Sequence, residues 1–498
     1  MAGLIEGCRE LPGTPPPNIS DSGGDAGELR DAGTLSDAGT GFDAGGAFDA
    51  GVDAGTEVDA GSGFDAGTNV DAGIVLTSAG LVYSPDRTQS PIDSALVQRL
   101  RDLTARGNGR HDVFARVGDS VSIGYPGGAT GGNFLNCFDG ILEGTVSWDV
   151  NIRLGSHAAL APTIDFFKTT PMPAGYTCWS RISLATRVGV TASWPMAGTP
   201  SPIDQELAAI NPRFAVVLYG SNDIGWGGME AYPVADQVER YEKHMRRLTD
   251  HLISKGVVPI LNTMPPDGDS FNYVPAFAGV VRAIAQGRQV PLIDLYKEML
   301  AMGPPYGLRS DRTHPNQQNY NTCCWFDPIS LATYGANLRN LITLESLDRM
   351  RRIFEEGVPS LDPGAPRVAG DGTAASPIAI NQIPWGELRD LRNASTTASG
   401  TLSCPGAPAV TGPQNLYRLV LTRSTALRVL VLNGGLGGHQ VSLLTGTDLG
   451  SCVKSAPRLI STTLSAGTYY IAVDALSATS GTEYNFSVTE CIAGDPEC

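Results

Sequence analysis

The sequence predicts an α/β domain built on a parallel sheet with helices on both faces, an antiparallel β-sandwich after it and a disordered repeat tract before it. Three observations predict this. From about residue 74 to 351, continuous apolar runs alternate with segments of helical periodicity, as in strands covered on both faces by crossover helices. The last hundred or so residues change to short alternating runs separated by turn residues, such as "LYRLVLTRSTALRVLVLN" and "LSAGTYYIAVDA", which is the pattern of a sandwich. Upstream, an Asp-Ala-Gly triplet recurs from Asp25 to Asp71 with a period of six residues and one step of four. Such a tract has too little apolar surface to offset its ordering entropy, so an extended tether is expected. A calcium-binding β-solenoid would need a nonapeptide pattern that is missing. The expected division is a tether over 1–75, an α/β domain over 76–353, a Pro/Gly/Ala-rich linker over 354–371 and a sandwich over 372–498.

The elements follow in order. Ser94 to Arg106 reads as a helix, with Leu96, Leu100 and Leu103 on one face. A strand then runs through Val113 to Val117, and "PRFAVVLYG" (Pro212 to Gly220) forms a second. Val234, Val238, Tyr241, Met245, Leu248 and Leu252 recur every three or four residues, giving a helix with one buried face that ends near Gly256. "VVPILNTMPP" (Val257 to Pro266) is a strand, Ala276 to Ala285 a helix, and "VPLIDLY" (Val290 to Tyr296) another strand. In sheets of this kind, active sites gather at the carboxyl ends of the strands.

The formal net charge is −16, of which the segment Asn18 to Val75 carries −11 (one Arg against ten Asp and two Glu), leaving −5 for the rest. Nucleic acid and anionic membranes are therefore poor partners. No stretch has the roughly 18–20 apolar residues a membrane-spanning helix needs, so a soluble protein is expected. The nine cysteines show no Cys-x-x-Cys or Cys/His cluster, and neither zinc nor any cofactor is expected. Their loop and small-β contexts suggest disulfides and hence export, although "MAGLIEGCRELPG" shows no complete signal peptide and Cys8 matches a lipoprotein attachment site poorly. Cys404 with Cys452 and Cys491 with Cys498 are candidate bridges. A Cys137–Cys178 bridge would pin a loop over the active-site rim; with Cys323 and Cys324, three pairings of the four are open.

Three polar clusters close apolar runs or lie late in the α/β domain: Gly118-Asp119-Ser120, Gly220-Ser221-Asn222-Asp223 and Asp311-Arg312-Thr313-His314-Pro315. A fourth element is Gly189 in "SLATRVGVTASW". A serine hydroxyl becomes a nucleophile when a base removes its proton, and His314 is the histidine in a loop with an acid three residues before it. Asp311 would hold the imidazole tautomer. The backbone N–H groups of Ser120 and Gly189 and the Asn222 amide would receive a developing oxyanion. Taken singly, Gly-Asp-Ser makes a turn and Asn222-Asp223 caps a helix. His111, His157, His244, His251 and His439 read as structural or surface residues.

Together these residues resemble the SGNH (GDSL-type) hydrolase family over about Arg110 to Leu344, with Val121 where the GDSL label has Leu. The resemblance implies a flavodoxin-like hydrolase fold, and a serine esterase with Ser120, His314 and Asp311 as triad and Ser120, Gly189 and Asn222 as oxyanion hole. Its substrates would be O-acetyl or short-chain acyl esters of extracellular carbohydrate or lipid. No Gly-x-Ser-x-Gly elbow supports an α/β-hydrolase. The long segment between the first two motifs, rich in aromatics from Phe134 to Trp179, is the expected source of specificity. "LSAGTYYIAVDA" followed by "GTEYNFSV" resembles the bacterial pre-peptidase C-terminal domain, which implies a secreted accessory module. Its ligand would be polysaccharide or cell surface, and Tyr469 and Tyr470 are a candidate sugar platform of which alternation buries one. A monomer, secreted or attached to the cell envelope, is expected. The rival reading is a non-catalytic, surface-tethered binding protein on a hydrolase scaffold.

Overall fold

The computed structural model describes residues 80–124, 134–140, 142, 151–224, 233–268, 272–318, 322–397, 400–493, 495 and 498; the repeat tract lies outside them. The α/β part runs α1 (Ser94–Thr104), β1 (Arg110–Gly118), β2 (Ile152–Arg153), α2 (Ala161–Phe166), α3 (Pro202–Ile210), β3 (Pro212–Leu218) and α4 (Val234–Ser254). It continues with β4 (Val258–Asn262), α5 (Val274–Arg288), β5 (Leu292–Ile293), α6 (Leu295–Ala301), β6 (Cys324–Trp325), α7 (Pro328–Thr333) and α8 (Gly335–Phe354).

The strands form in the order β1-β3-β4-β5, all parallel. They are largely buried because helices cover both faces: every residue of β4 is buried, as are Val113 to Gly118 of β1, Arg116 among them. Past β1 the sheet is extended by the chain around Thr186, which bridges Gly118 in parallel. Helix α4 buries Val234, Val238, Tyr241, Met245, Leu248 and Leu252, the stripe its periodicity predicts. Each such side chain contributes about 1.5–3 kcal/mol. Strand β5 is only two residues long, because Asp294 breaks out of the sheet to cap α6 by accepting the Lys297 N–H.

The C-terminal part comprises β7 (Ile378–Ile380), β8 (Trp385–Asp390), β9 (Thr396–Thr397), β10 (Gly400–Thr401), β11 (Ala409–Val410) and β12 (Pro413–Leu421). Then follow β13 (Thr425–Leu432), β14 (His439–Leu444), β15 (Cys452–Ala456), β16 (Leu459–Leu464), β17 (Gly467–Ala475) and β18 (Glu483–Glu490). One sheet has the order β15-β14-β17-β12-β7 with β9 beside β12, the other β16-β13-β18-β8; among these, β7 with β12 is the parallel pair. Alternate residues such as Tyr417, Leu419, Val429, Val431, Ile471 and Val473 fill the space between. Tyr469 and Tyr470 are both half-buried, Tyr469 against this core and Tyr470 against a smaller cluster around Leu444 and Ala472.

The sandwich is not hung on a free linker. Val82 N–H donates to Pro366 O, Val368 N–H donates to Gly80 O, and Asp362 accepts Ile92 N–H and the guanidinium groups of Arg87 and Arg349. Helix α5 lies between the parallel sheet and strands β8 and β18, which is why residues on every side of it are buried. At Gly287 the two backbones approach so closely that a Cβ would stand 2.3 Å from Leu388 Cβ. Beside this contact Arg288 forks between Asp250 and Glu483, and Arg458 reaches Asp236 and Glu239 on α4.

Cys404–Cys452 and Cys491–Cys498 are disulfides, whereas Cys137 pairs with Cys324 and not with Cys178. Cys178 is a buried thiol directed at the carbonyl of Asp112 on β1. Cys137 instead faces α8, where Asn340 contacts its sulfur, accepts the Leu135 N–H and donates to the carbonyl of Cys323. Cys323 is also a buried thiol. Pairing of β2 with β6 sets Cys324 in the same place.

Candidate active site

At Gly118, where β1 ends, a side chain has no room: a Cβ would fall 2.3 Å from Ser122 Oγ and 2.5 Å from Leu218 O. The chain turns into a single 3₁₀ turn, Ser120–Ser122, which Asp119 caps by accepting the Val121 N–H at 3.0 Å. From α8, the Arg339 guanidinium donates to the carbonyl of Val121 and to Ser122 Oγ, and lies 3.8 Å over the Phe134 ring. Burial pushes the Arg339 pKa down to about 9, with the Asp119 charge opposing. Burial likewise pushes Asp119 up to about 7, against the Val121 N–H, Arg339 and the Asn222 amide beside it.

His314 arrives on the loop before β6. Arg309 N–H donates to His314 O, Asn316 N–H donates to Gly307 O, and Leu308 bridges Pro315, closing the loop on itself. The loop docks on the connection after β4, where Gly268 N–H donates to Arg312 O and the Thr313 hydroxyl donates to Asp267 Oδ2 at 3.0 Å. Asp311 Oδ1 accepts the N–H groups of Thr313 (3.0 Å) and His314 (2.9 Å), and its Oδ2 lies 3.0 Å from His314 Nδ1. Partial burial would raise the Asp311 pKa, but those two N–H groups and the imidazole hold it below the usual carboxylate value. His314 Nε2 then stands 2.8 Å from Ser120 Oγ. With the proton on Nδ1, the ring donates to Asp311 and accepts from the Ser120 hydroxyl.

Asn222 lies in the turn after β3, and its Nδ2 donates to Val190 O at 3.2 Å. Asp223 accepts the Ala192 N–H on both oxygens, at 3.2 and 3.1 Å. The segment before these contacts runs alongside Gly118, with Gly118 N–H donating to Ala185 O and Arg187 N–H to Gly118 O. Gly189 adopts φ +71°. The structure thus joins Ser120, His314 and Asp311 by direct contacts and ties Asn222 and the Gly189 loop to each other at the same sheet edge. Four of the five remaining histidines bind elsewhere: His111 to Glu355, His157 to Glu345, His251 to Asp204 and His439 to Thr482. His157 therefore has an acidic neighbour in space, although it has none nearby in the chain.

Arg339 and Asp267 also belong to this edge and were not singled out in the sequence, while Asp223, read there beside Asn222 as a cap residue, holds the Gly189 loop. Their signal was faint: α8 carries buried polar residues, Asn337, Asn340 and Thr343 at three-residue spacing with Arg339 among them, where a packing helix would carry apolar ones.

The parallel sheet thus carries a hydroxyl, an imidazole and a carboxylate in line, an arrangement that can activate the hydroxyl as a nucleophile. Residues 175–321 match the family described as GDSL-like Lipase/Acylhydrolase, so the chain carries a carboxylic ester hydrolase domain of that type. The matched span includes Gly189, Asn222, Asp311 and His314; Ser120 lies upstream of it. Among solved structures, an acetylxylan esterase from Geobacillus stearothermophilus aligns at 16% identity over 48% of this chain and 95% of its own, with a TM-score of 0.30. A psychrotrophic esterase from Pseudoalteromonas sp. aligns at 16% identity over 48% and 97%, with a TM-score of 0.27. The pre-peptidase C-terminal domain of a collagenase from Bacillus anthracis aligns at 15% identity over 21% and 89%, with a TM-score of 0.16. No curated protein matches the chain. Among the described residues no helix is long and apolar enough to cross a membrane.

Proposed function

We propose that the protein is a serine esterase that cleaves carboxylic esters through an acyl-Ser120 intermediate. The observation that carries this reading is the unbroken relay from Ser120 Oγ through His314 to Asp311, at 2.8 and 3.0 Å. His314 Nε2 takes the hydroxyl proton as Ser120 Oγ bonds to the ester carbonyl carbon, and the carbonyl π electrons move onto oxygen. That oxyanion is received by the N–H groups of Ser120 and Gly189 and by the Asn222 amide, each donor supplying about 3–4 kcal/mol. Collapse expels the alcohol, protonated by His314. Water, deprotonated by the same imidazole, then releases the acid and restores Ser120. Asp311, kept ionised by its own hydrogen bonds, stabilises the imidazolium in both steps.

Within this reading the substrates are O-acetyl or short-chain acyl esters of extracellular carbohydrate or lipid, and residues 1–75 serve as a tether. Three disulfides support export to an oxidising compartment. The test is hydrolysis of p-nitrophenyl acetate, butyrate and octanoate by the purified protein and by Ser120→Ala, with fluorophosphonate labelling alongside. The wild type should turn over, prefer the shorter chains and label; the variant should do neither. Folded wild-type protein that neither labels nor hydrolyses would overturn the proposal and leave a binding role.

A further inference from the structure

The Asn222-Asp223 pair does not cap α4, which begins at Val234 after Pro233. The two consecutive side chains grip one loop instead. Asn222 Nδ2 holds the carbonyl of Val190, and the Asp223 carboxylate holds the N–H of Ala192. Both grips fall within three residues of Gly189, whose φ of +71° lies in the left-handed region open to glycine, so the loop's placement comes from these contacts and not from its own backbone preference. Asp223 is a costly residue for the task. Its carboxyl is pushed up to about 7 by burial, and the nearby Asp119 carboxylate adds to this, while the Ala192 N–H, Arg240 on α4 and the Gly220 backbone oppose it. A neutral acceptor would hold an amide with less penalty, so a buried carboxyl placed here is a feature of the site more than of the core.

We propose that Asp223 is a positioning residue: by holding Ala192 it fixes the 189–192 loop so that the Gly189 N–H points at the place where the ester oxyanion develops. This rests on the serine-esterase reading. The contact it governs forms with the transition state and not with the ground state, so its loss falls on kcat. Substrate binding draws on other surfaces and is little changed.

The experiment measures kcat and KM for p-nitrophenyl acetate, with active sites counted by fluorophosphonate titration, in wild type, Asp223→Ala and Asp223→Asn, and records Tm for each. For Asp223→Ala, kcat per titrated site should fall about 100-fold, the scale of one lost oxyanion donor, with KM changed less than about threefold. Asp223→Asn keeps an oxygen for the Ala192 N–H and should recover at least about tenfold of that loss. A purely structural role predicts a lower Tm and fewer titratable sites with kcat per site unchanged, and that result would overturn the proposal. So would a loss confined to KM, or an Asn variant no better than Ala. Should Ser120→Ala keep wild-type activity, the esterase mechanism itself fails, an outcome separable from the others because Asp223 is untouched in that variant.

Discussion

Ser120 and His314 are 194 residues apart in the chain and 2.8 Å apart in space. Each is held from behind by a different part of the fold: the serine turn by Arg339 on α8, the imidazole by Asp311 and a loop docked on Asp267 and Gly268. On the proposed mechanism the hydroxyl is inert until the imidazole takes its proton, so removing either group disables the same step. Ser120→Ala and His314→Ala should therefore each lower kcat by about 10⁴–10⁶-fold, and the double variant should be no more than about tenfold worse than either. Steady-state assays of all three decide this; additive losses would mean that the two residues act independently.

Asp311 is more exposed than its partners, with 45% of its side-chain surface open, yet both of its oxygens are engaged. Asp311→Asn keeps the shape and removes the charge that stabilises an imidazolium. A kcat loss of about 10²–10⁴-fold is expected. Steady-state kcat of Asp311→Asn checks this: a variant that keeps the wild-type rate would show that Asp311 serves only to shape the turn.

Much of the parallel sheet was legible because apolar runs on both-faced strands need no knowledge of their partners, and the motif residues stood where those runs ended. What was not legible depended on contacts between distant segments. Cys137 could be matched with Cys178 or with either of Cys323 and Cys324, and only the packing of its turn on Asn340 selects Cys324. The two-residue β5 fell short of the expected Val290 to Tyr296 because Asp294 caps α6, a local choice that outweighed the apolar run. Helix α5 read as an ordinary crossover helix, since nothing within it reveals that a second sheet lies on its outer side. Arg339 left only a faint signal for the same reason: its partners, Val121 and Ser122, lie more than two hundred residues upstream.

The contact between α5 and the sandwich should carry much of the stability of both parts. Burial would raise the Glu483 pKa, but Arg288 and Arg246 override it and bring it down to about 2. Glu483 is thus ionised in the folded state well below its usual titration, and its contribution is present above pH 4.5 and lost as pH falls toward 2. Arg288→Ala leaves Glu483 enclosed with half its partners and should cost about 2–3 kcal/mol at pH 7, allowing for partial exposure of the pair. Urea unfolding at pH 7 and pH 3 checks it: the deficit should shrink at the lower pH, as Glu483 in the variant is then neutral. Equal deficits at both values would assign the loss to packing of the arginine stem. The same contact predicts that a chain ending at residue 353 exposes the outer face of α5 and aggregates, which light scattering would detect.

Asp474 offers a test inside the sandwich, away from the site. It sits on β17 with Gln414 donating to one oxygen at 2.7 Å and its other oxygen enclosed without a partner. Burial pushes its carboxyl up to about 7, with the Gln414 amide opposing. Between the ordinary value of 3.8 and about 7 the folded protein keeps a proton that the unfolded chain has released. Stability from this group is therefore complete below pH 3.8, declines as pH rises to about 7 and is flat above it. Asp474→Asn retains an oxygen for Gln414 and carries no charge at any pH. Relative to wild type, the variant should gain stability as pH rises, by up to about 4 kcal/mol near pH 8 if the full shift is expressed. Thermal unfolding at pH 4, 5.5 and 8 measures the gap. A difference that stays constant across that range would mean that Asp474 titrates like an exposed carboxylate, and that water reaches the enclosed oxygen between β12 and β17.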